Sequence, residues 1–448
     1  MYIERISVDG IRGFHDGRAV EDLEFPLPGG ALGSWTVLAG RNGSGKTTLL
    51  RAVALGLIGH FYGREVVSEP HRFDYWLSKN RESGTVTTTI SHHEGWDGFT
   101  GKGNTPGGSF EGQLHWKRSE HARGAGVVGP HDVSLSKSAA RGPWSEESTG
   151  WFVAGYGPFR RLEGGSDKAQ RLTYGNTPVS RVASLFNEDV SLAESIEWIK
   201  GLHFRSLEKK PGSQRLLGFV KRILNEGLLP DGFQVTDVDS DGLWAERDGV
   251  PVLMHELSDG YRTVAALVLD LVRQVSVVTE GRGLAFDEQG SPYISMPGVV
   301  LIDEVDVHLH VSWQKEIGGW LKRHFPSIQF IVSSHSPYIC QSADPGGLVR
   351  LPGVNEEEGP RVVPDELYQR IVNGSGDDAL LTDLFGIDSP YSQTAEEKRR
   401  RLSALELALL QGTASEDDRE EHARLSRSLG SSLAARVDEV ASRLRPGA

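Results

Sequence analysis

Cysteine is almost absent from this sequence, with one among 448 residues, and long apolar runs are absent as well. A single cysteine excludes a disulfide framework and a cysteine-based metal site within the chain. A membrane-spanning helix needs about 18 consecutive apolar residues, and the apolar runs here are shorter and bounded or interrupted by charged residues. The sequence therefore predicts a protein of the reducing cytoplasm with no membrane contact.

Basic residues are outnumbered, with 48 Lys and Arg against 61 Asp and Glu, which gives a formal net charge of -13. Proteins that coat a phosphate backbone are usually basic. The balance disfavours a dedicated DNA-coating protein and leaves open a transient DNA contact through a local patch. One basic stretch is formed by Arg160, Arg161, Lys168 and Arg171, and solvated surface charge is its simpler interpretation.

Glycine, in contrast, is plentiful, and the segment from Gly40 to Thr47 fits the P-loop pattern that ends in Gly-Lys-Thr. Glycines in such a loop let backbone N–H groups surround a phosphate, and the following helix directs its positive end there. Lys46 is expected to reach the β and γ phosphates of ATP, and the Thr47 hydroxyl to bind Mg²⁺. The predicted nucleotide-binding residues of the loop are Asn42, Gly43, Ser44, Gly45, Lys46, Thr47 and Thr48.

A second motif is the apolar run 298–302, which is followed by Asp303 and Glu304. Alone, an apolar strand with acids at its end is common and usually structural. After a P-loop it predicts a Walker B element. Asp303 is then expected to hold Mg²⁺ through water, and Glu304 to polarise the attacking water as a general base.

A third motif, Leu-Ser-Asp-Gly-Tyr-Arg at 257–262, precedes a predicted helix and lies shortly before the Walker B strand. It resembles the Leu-Ser-Gly-Gly-Gln signature of ABC-type ATPases, from which Asp259 and Tyr261 depart. The resemblance implies that Ser258 and Gly260 bind the γ-phosphate of a nucleotide held by a second copy of the chain. Two ATP molecules would then be sandwiched in a homodimer. The alternative is that Ser258 is an ordinary helix N-cap.

A fourth motif is the strand-like run 330–334, which His335 follows at once. In ABC-type heads a histidine at this place contacts the γ-phosphate and the catalytic water. The resemblance implies this switch role for His335 and makes it a catalytic residue together with Lys46 and Glu304.

The segment 305–310, between the Walker B element and this histidine, resembles the D-loop of ABC-type heads, which runs along the dimer interface. Asp306 is the candidate residue there. His308 and His310 suggest a metal pair by their spacing, but the resemblance favours a place at the interface for both.

Together the motifs resemble the ATPase heads of the ABC/SMC/RecF class. Ile-Arg-Gly-Phe at 11–14 matches a turn that lies beside the nucleotide in that class, which implies a nucleotide contact for Arg12. The implied fold is α/β, an ABC-type P-loop NTPase head with a mixed sheet and an N-terminal β subdomain. A Q-loop glutamine is not evident, because Gln170 falls in the right interval but lacks a recognisable context.

The patterns along the chain predict five segments. Residues 61–150 are rich in Gly, Ser, Thr and His and predict an irregular β-rich insertion. The segments are an N-terminal lobe of the head with the P-loop (1–60), the glycine-rich insertion (61–150), a helical and β subdomain (151–255), a C-terminal lobe with the signature, Walker B and switch histidine (256–345), and an acidic linker with a helical tail (346–448).

Residues 155–161 and 380–386 are similar to stretches of stand-alone bacterial anti-phage defence ATPases of the Septu type. This resemblance implies an ATP-gated sensor or regulator that acts with a separate effector protein, for which an HNH-type nuclease is one candidate. The acidic residues Asp377, Asp378, Asp383 and Asp388 lack the arrangement of a Toprim nuclease, so we expect the nuclease on the partner. The alternative function is that of a RecF-like DNA repair or recombination ATPase.

Overall fold

The computed structural model describes residues 1–29, 33–67, 75–118, 127–132, 136–162, 164–229, 231–385 and 391–429. The chain divides into two compact units, Met1–Ala379 and Leu380–Ala448. The strands are β1 (Tyr2–Asp9), β2 (Val20–Glu24), β3 (Ser34–Ala39), β4 (Ser83–Ser91), β5 (Phe110–Arg118), β6 (Val127–Asp132), β7 (Phe152–Tyr156), β8 (Gln234–Val238), β9 (Leu243–Arg247), β10 (Val250–Leu253), β11 (Leu284–Phe286), β12 (Pro292–Ile294), β13 (Gly298–Ile302), β14 (Ile328–Ser334), β15 (Leu348–Arg350) and β16 (Arg361–Val362).

The helices lie between groups of these strands and after the last of them. They are α1 (Lys46–Val66), α2 (Lys137–Arg141), α3 (Asp167–Gln170), α4 (Pro178–Phe186), α5 (Ala193–Leu207), α6 (Ser213–Asn225), α7 (Asp259–Thr279), α8 (Val311–His324), α9 (Pro337–Gln341), α10 (Asp365–Asn373), α11 (Gly376–Leu380), α12 (Gln393–Leu410) and α13 (Glu416–Ser428). Among the helices in the described ranges, none is long and apolar enough to cross a bilayer.

The central sheet of the larger unit has six strands in the order β16-β15-β3-β14-β13-β7, parallel except for β16. The strands β3, β13 and β14 are buried at every position, as expected of parallel strands covered on both faces. Because parallel strands place their carboxyl ends at one edge, the P-loop, the Walker B acids and the segment after β14 meet there.

A second, antiparallel sheet has the order β2-β1-β4-β5-β6. Its strands β4 and β5 belong to the segment 61–150 that the sequence analysis set apart as an insertion. In the structure β4 pairs with β1 from Tyr2 opposite Ser91 to Asp9 opposite Thr85, and both strands line the same hydrophobic core. The predicted boundary at residue 60 therefore cuts through one sheet, and the segment completes the N-terminal β subdomain.

The helical and β region between the two halves of the central sheet agrees with the predicted elements. Helices α4, α5 and α6 and the antiparallel sheet β10-β9-β8 lie in the segment 151–255, which is predicted as a helical and β subdomain. The α/β fold of an ABC-type P-loop head, with a mixed sheet and an N-terminal β subdomain, is confirmed.

The end of the larger unit differs from the predicted linker of 346–448. Strands β15 and β16 extend the central sheet beyond β3, and α10 lies in the same unit, which ends at Ala379. The segment is acidic, yet its short apolar stretch 348–351 is buried and pairs with the P-loop strand. Strand β15 was not predicted because the residues around it are acidic.

The smaller unit contains α12 and α13. Arg401 of α12 forms ion pairs with Glu421 at 2.6 Å and Asp418 at 3.3 Å, both on α13. Ser415 followed by Asp418 predicts a capping box from the sequence. The structure confirms it, because the Ser415 hydroxyl accepts from the Asp418 N–H and the Asp418 carboxylate accepts from the Ser415 N–H. The sequence also predicts a helical apolar stripe in the tail, formed by Leu425, Leu429, Leu433, Val437, Val440 and Leu444. Its last four positions lie outside the described residues.

Candidate functional site

The P-loop follows β3 and requires glycine at two positions. Gly43 and Gly45 have φ values of +79° and +100°, in the left-handed region that glycine alone adopts at no cost. A Cβ on Gly45 would lie 2.6 Å from Cζ of Phe14. The turn at 11–14 therefore packs directly on the P-loop, as the resemblance implied.

Lys46 is the first residue of α1, and its side chain is buried although it is charged. Its Nζ donates to the carbonyl oxygens of Gly40 at 2.9 Å and Arg41 at 3.3 Å. Burial lowers the pKa of Lys46, and Asp303 and Glu304 oppose that shift. The loop thus holds an ammonium group among neutral oxygens, next to two carboxylates.

His335 completes the surroundings of Lys46, with Nε2 2.8 Å from Nζ. Because an ammonium group can only donate, Nε2 is the acceptor and the proton of the neutral ring is on Nδ1. Burial and the neighbouring Lys46 lower the pKa of His335, which favours this neutral form. The structure therefore brings the predicted switch residue into contact with the predicted phosphate-binding lysine.

Thr47 and Asp303 also meet, although 256 positions separate them along the chain. The Thr47 hydroxyl donates to Oδ2 of Asp303 at 2.7 Å, while the Ser333 hydroxyl of β14 donates to Oδ1. A hydroxyl and a carboxylate are the hard oxygen ligands that Mg²⁺ prefers. The donor set therefore fits the predicted metal, which Thr47 and Asp303 would hold.

Glu304 follows Asp303 in an unusual backbone conformation, with φ at +46°. Its N–H donates to the Ser333 hydroxyl at 2.8 Å. Burial, followed by the charges of Asp303 and Asp306, raises the pKa of Glu304. A partly buried carboxylate with a raised pKa, close to the lysine and the metal ligands, is chemically suited to accept a proton from water.

The other predicted loop residues line the same turn with different exposure. Ser44 is buried, and its hydroxyl has no hydrogen-bond partner within the described residues, so it can accept or donate a bond to a ligand. Asn42 is exposed at the tip of the loop, and Thr48 is partly buried in the first turn of α1. A phosphate therefore fits this turn, which supplies glycine N–H groups, a buried hydroxyl and a lysine.

Arg12 lies in the turn that packs on the P-loop. The Arg12 guanidinium is 4.8 Å above the centre of the Trp76 ring, and the backbone N–H of Arg12 donates to the Trp76 carbonyl oxygen at 2.7 Å. Burial and the nearby Arg51 lower the pKa of Arg12. The predicted nucleotide contact is near the loop in the fold, and the aromatic ring supports the arginine from one face.

The signature segment begins α7 and presents Ser258 to solvent. The Ser258 hydroxyl caps no N–H of α7, so the alternative interpretation of an ordinary N-cap does not describe this side chain. The departures from the signature have local partners. Asp259 pairs with Arg262, while the Tyr261 hydroxyl bonds Asp231.

Gly260 approaches the D-loop closely, because a Cβ on it would lie 2.6 Å from the carbonyl oxygen of His308. A cavity of about 320 Å³ lies between the two segments and is lined by Ser258, Gly260, His308 and His310, among others. Asp306 accepts from the Ser334 hydroxyl at 2.5 Å, which ties the D-loop to β14. No cluster of three or more potential metal-ligating side chains is found within the described ranges.

Sequence reasoning missed the role of Arg160. As part of a basic stretch it was a candidate for DNA contact, but the structure buries it with 3% of its surface exposed. Its guanidinium donates to backbone carbonyl oxygens of the Walker B segment. Arg161, in contrast, is exposed. The glycines and proline before Arg160 were the available signal, since they predict a tight loop after β7.

Gln170, which falls in the interval expected for a Q-loop, forms hydrogen bonds within the surrounding loops. Its amide donates to the Gly164 carbonyl oxygen at 2.9 Å and to the Ser191 hydroxyl. Neither partner belongs to the P-loop or the Walker B segment. The loop that follows β7 and reaches the Walker B acids is instead the one that contains Arg160.

Comparison with known proteins agrees with these features. Residues 202–341 match the family described as AAA domain, putative AbiEii toxin, Type IV TA system, and residues 5–102 match an AAA domain family. Septu protein PtuA of Bacillus mycoides (strain KBAB4) is 24% identical over 392 residues, which cover 86% of this chain and 44% of that protein. The retron Ec83 probable ATPase of Escherichia coli is 29% identical over 193 residues, which cover 42% of this chain and 31% of that protein.

The chain spans less than half the length of these curated relatives. Among solved structures, the SMC head bound to the C-winged helix domain of ScpA has a TM-score of 0.47 at 16% identity, with 81% of this chain and 98% of that chain covered. The sequence similarity to Septu and retron ATPases confirms the predicted resemblance to P-loop ATPases of anti-phage defence.

Proposed function

We propose that this chain, a P-loop ATPase that resembles PtuA, binds ATP with Mg²⁺ and hydrolyses it to ADP and phosphate. The observation that supports this most directly is the meeting of three separate motifs at one sheet edge. Lys46 contacts His335 at 2.8 Å, and Thr47 contacts Asp303 at 2.7 Å. Four side chains from distant parts of the chain thus surround the position that a P-loop gives to the terminal phosphates.

The side chains divide the work of hydrolysis. Lys46 and the loop N–H groups bind the phosphates, and Thr47 and Asp303 hold Mg²⁺, which would neutralise charge on the phosphate oxygens. Glu304 accepts a proton from the attacking water, for which its raised pKa is favourable. His335, neutral and next to Lys46, is placed to exchange its contact with the lysine for one with the γ-phosphate.

Two copies of the chain would close around two ATP molecules. Ser258 is exposed and Gly260 half-buried at the N-terminal end of a long helix, α7, whose partial positive charge favours a phosphate. A γ-phosphate bound by both copies favours the closed state only to the extent that it contacts Ser258 across the interface. Hydrolysis removes that contact and opens the dimer.

The closed and open states would report to a separate effector in bacterial anti-phage defence. Similarity to a Septu protein and to a retron ATPase supports this role. The effector we propose is a nuclease, with an HNH-type enzyme as one candidate, and the complex would act in the cytoplasm. Any DNA contact by the chain itself would be transient, given its net charge of -13.

The test of the proposed activity is Glu304→Gln. We expect this variant to bind ATP and to lose roughly 10²- to 10⁴-fold in kcat, the range for removal of a general base. With ATP it should elute as a closed dimer in gel filtration, and with ADP as a monomer. Hydrolysis at the native rate would show that Glu304 is not the base, and a monomer in ATP would contradict the sandwich.

The test of the partnership is affinity capture from the native host with two variants. Glu304→Gln should retain the effector in the closed state, whereas Lys46→Ala, which is expected not to bind ATP, serves as the control. The same second protein in a fixed ratio with Glu304→Gln would support the proposal. No second protein with either variant, and no loss of phage resistance on deletion of the gene, would contradict the defence role.

A further inference from the structure

Arg160 is a buried cation whose hydrogen bonds all lead to backbone. Nη1 donates to the carbonyl oxygens of Gly157 and Asp303, both at 2.9 Å, and Nη2 donates to that of Glu304 at 3.1 Å. A buried guanidinium is costly unless its donors are satisfied and a counter-charge is near. Asp303 and Glu304 meet both needs of Arg160. Their carbonyl oxygens accept its hydrogen bonds, and their carboxylates supply negative charge nearby.

Glu304 needs such support because of its backbone. At φ +46° it occupies the left-handed region, which costs a non-glycine residue about 1 kcal/mol or more. The Glu304 N–H donates to the Ser333 hydroxyl, and the Glu304 carbonyl oxygen accepts from Arg160 and from the Val307 N–H, both at 3.1 Å. Removing Arg160 would take the side-chain donor from the Asp303 carbonyl oxygen and leave the Glu304 carbonyl oxygen with the Val307 N–H.

Arg160 also holds the loop after β7 against the segment that follows β13. The Asp303 N–H donates to the carbonyl oxygen of Tyr156, the last residue of β7, at 2.8 Å. Arg160, four residues further along the same chain segment, returns to the Asp303 carbonyl oxygen. The loop after β7 therefore holds the backbone that follows β13, from which the Asp303 and Glu304 side chains project.

We propose that Arg160 is a positioning residue for ATP hydrolysis, which holds the backbone of Asp303 and Glu304 so that the Glu304 carboxylate stays in its productive place. The inference rests on the proposed function, in which Glu304 is the general base. Within the described residues no hydrogen bond of Arg160 goes to the P-loop or to Lys46, so we expect its contribution to concern the chemical step and not the binding of nucleotide. Burial lowers its pKa to about 10, and the guanidinium stays charged at neutral pH.

The experiment compares Arg160→Gln, Arg160→Lys and the neighbouring Arg161→Gln. For Arg160→Gln we expect a fluorescent ATP analogue to bind within about threefold of the native affinity, because the P-loop contacts are unchanged. Its kcat should fall about 100-fold, the effect of a displacement of about 1 Å at a reacting group. Arg160→Lys, which keeps the charge and can reach one carbonyl oxygen, should recover part of that loss. Arg161→Gln should stay within about twofold of the native rate, as most surface substitutions do.

A double-mutant cycle with Glu304→Gln separates positioning from a general loss of structure. If Arg160 acts through Glu304, Arg160→Gln should add less than about threefold to the defect of Glu304→Gln. A multiplicative defect, a kcat of Arg160→Gln near the native value, or parallel losses of kcat and nucleotide binding sites would each overturn the proposal. If Arg160→Gln does not fold, the rate and affinity of Arg160→Lys decide. Native hydrolysis by Glu304→Gln alone would instead overturn the proposed base.

Discussion

Lys46 and Ser258 occupy similar places, at the N-terminal ends of α1 and α7. Lys46 is 6% exposed, and its ammonium group contacts two carbonyl oxygens and His335. Ser258 is exposed, and its hydroxyl caps no N–H of its helix. At the end of α1 the polar group is thus bound by groups of the same chain, whereas at the end of α7 the Ser258 hydroxyl faces solvent. This contrast is what a site needs if a second copy completes it.

The largest effect is expected from Lys46→Ala, which removes the central group of the preassembled end. We expect the affinity for ATP to fall about 100-fold or more, because charge-assisted hydrogen bonds are worth about 3 kcal/mol at their strongest. Isothermal titration with ATP and Mg²⁺ measures this. The control is Lys200→Ala, which removes a lysine paired with Glu197 on α5. Native affinity of Lys46→Ala would show that the phosphates bind elsewhere.

A smaller effect is expected from Ser258→Arg, which leaves the P-loop intact. We expect ATP to bind one copy with native affinity and the ATP-bound dimer to weaken about 30-fold or more, the size of a central interface contact. Analytical ultracentrifugation in the Glu304→Gln background measures the dimer. Ser240→Arg, at an exposed serine between β8 and β9, is the matched control. An unchanged dimer would remove the distinction between the two helix ends.

The smallest effect is expected in a thiol-labelling experiment on Ser258→Cys. This variant carries the native thiol of Cys340 and a second thiol at the exposed N-terminal end of α7. Cys340 of α9 is fully buried, and burial raises the pKa of its thiol, so the native chain should react very slowly with a maleimide. Ser258→Cys should react fast without nucleotide. With ATP its rate should drop about tenfold or more as the interface covers it. Rapid labelling of Cys340, or no protection by ATP, would contradict the comparison.

Local motifs made the catalytic edge predictable. The P-loop glycines, Lys46 and Asp303 follow from short patterns with a chemical reason for each residue, and the structure places them together. The pairing of β4 with β1 was missed because the partners are far apart along the chain and the segment between them is rich in glycine. Strand register of this kind depends on the whole sheet and not on the composition of one segment.

Arg160 was misjudged for a related reason. A cluster of arginines is usually a solvated face, and the sequence cannot show that one of them meets three carbonyl oxygens while its neighbour stays exposed. Satisfaction of a buried cation depends on backbone groups from distant segments. The same limit applies to Gln170, whose partners come from the surrounding loops.

The position of β3 within the central sheet has a consequence for synthesis of the chain. Its neighbours are made much later, since Ser34 pairs with Gln329 of β14, 295 residues on, and Val37 pairs with Leu348 of β15, 311 residues on. The contact between Lys46 and His335 spans 289 positions. Pairing across such separations is slow and must await the distant strands. A ribosome that has just completed β13 therefore holds a P-loop without neighbouring strands. A polypeptide released at that point would lack both the lysine contact and the switch histidine. In the proposed function, hydrolysis of ATP therefore requires translation beyond β13, and a product that ends there should not hydrolyse ATP.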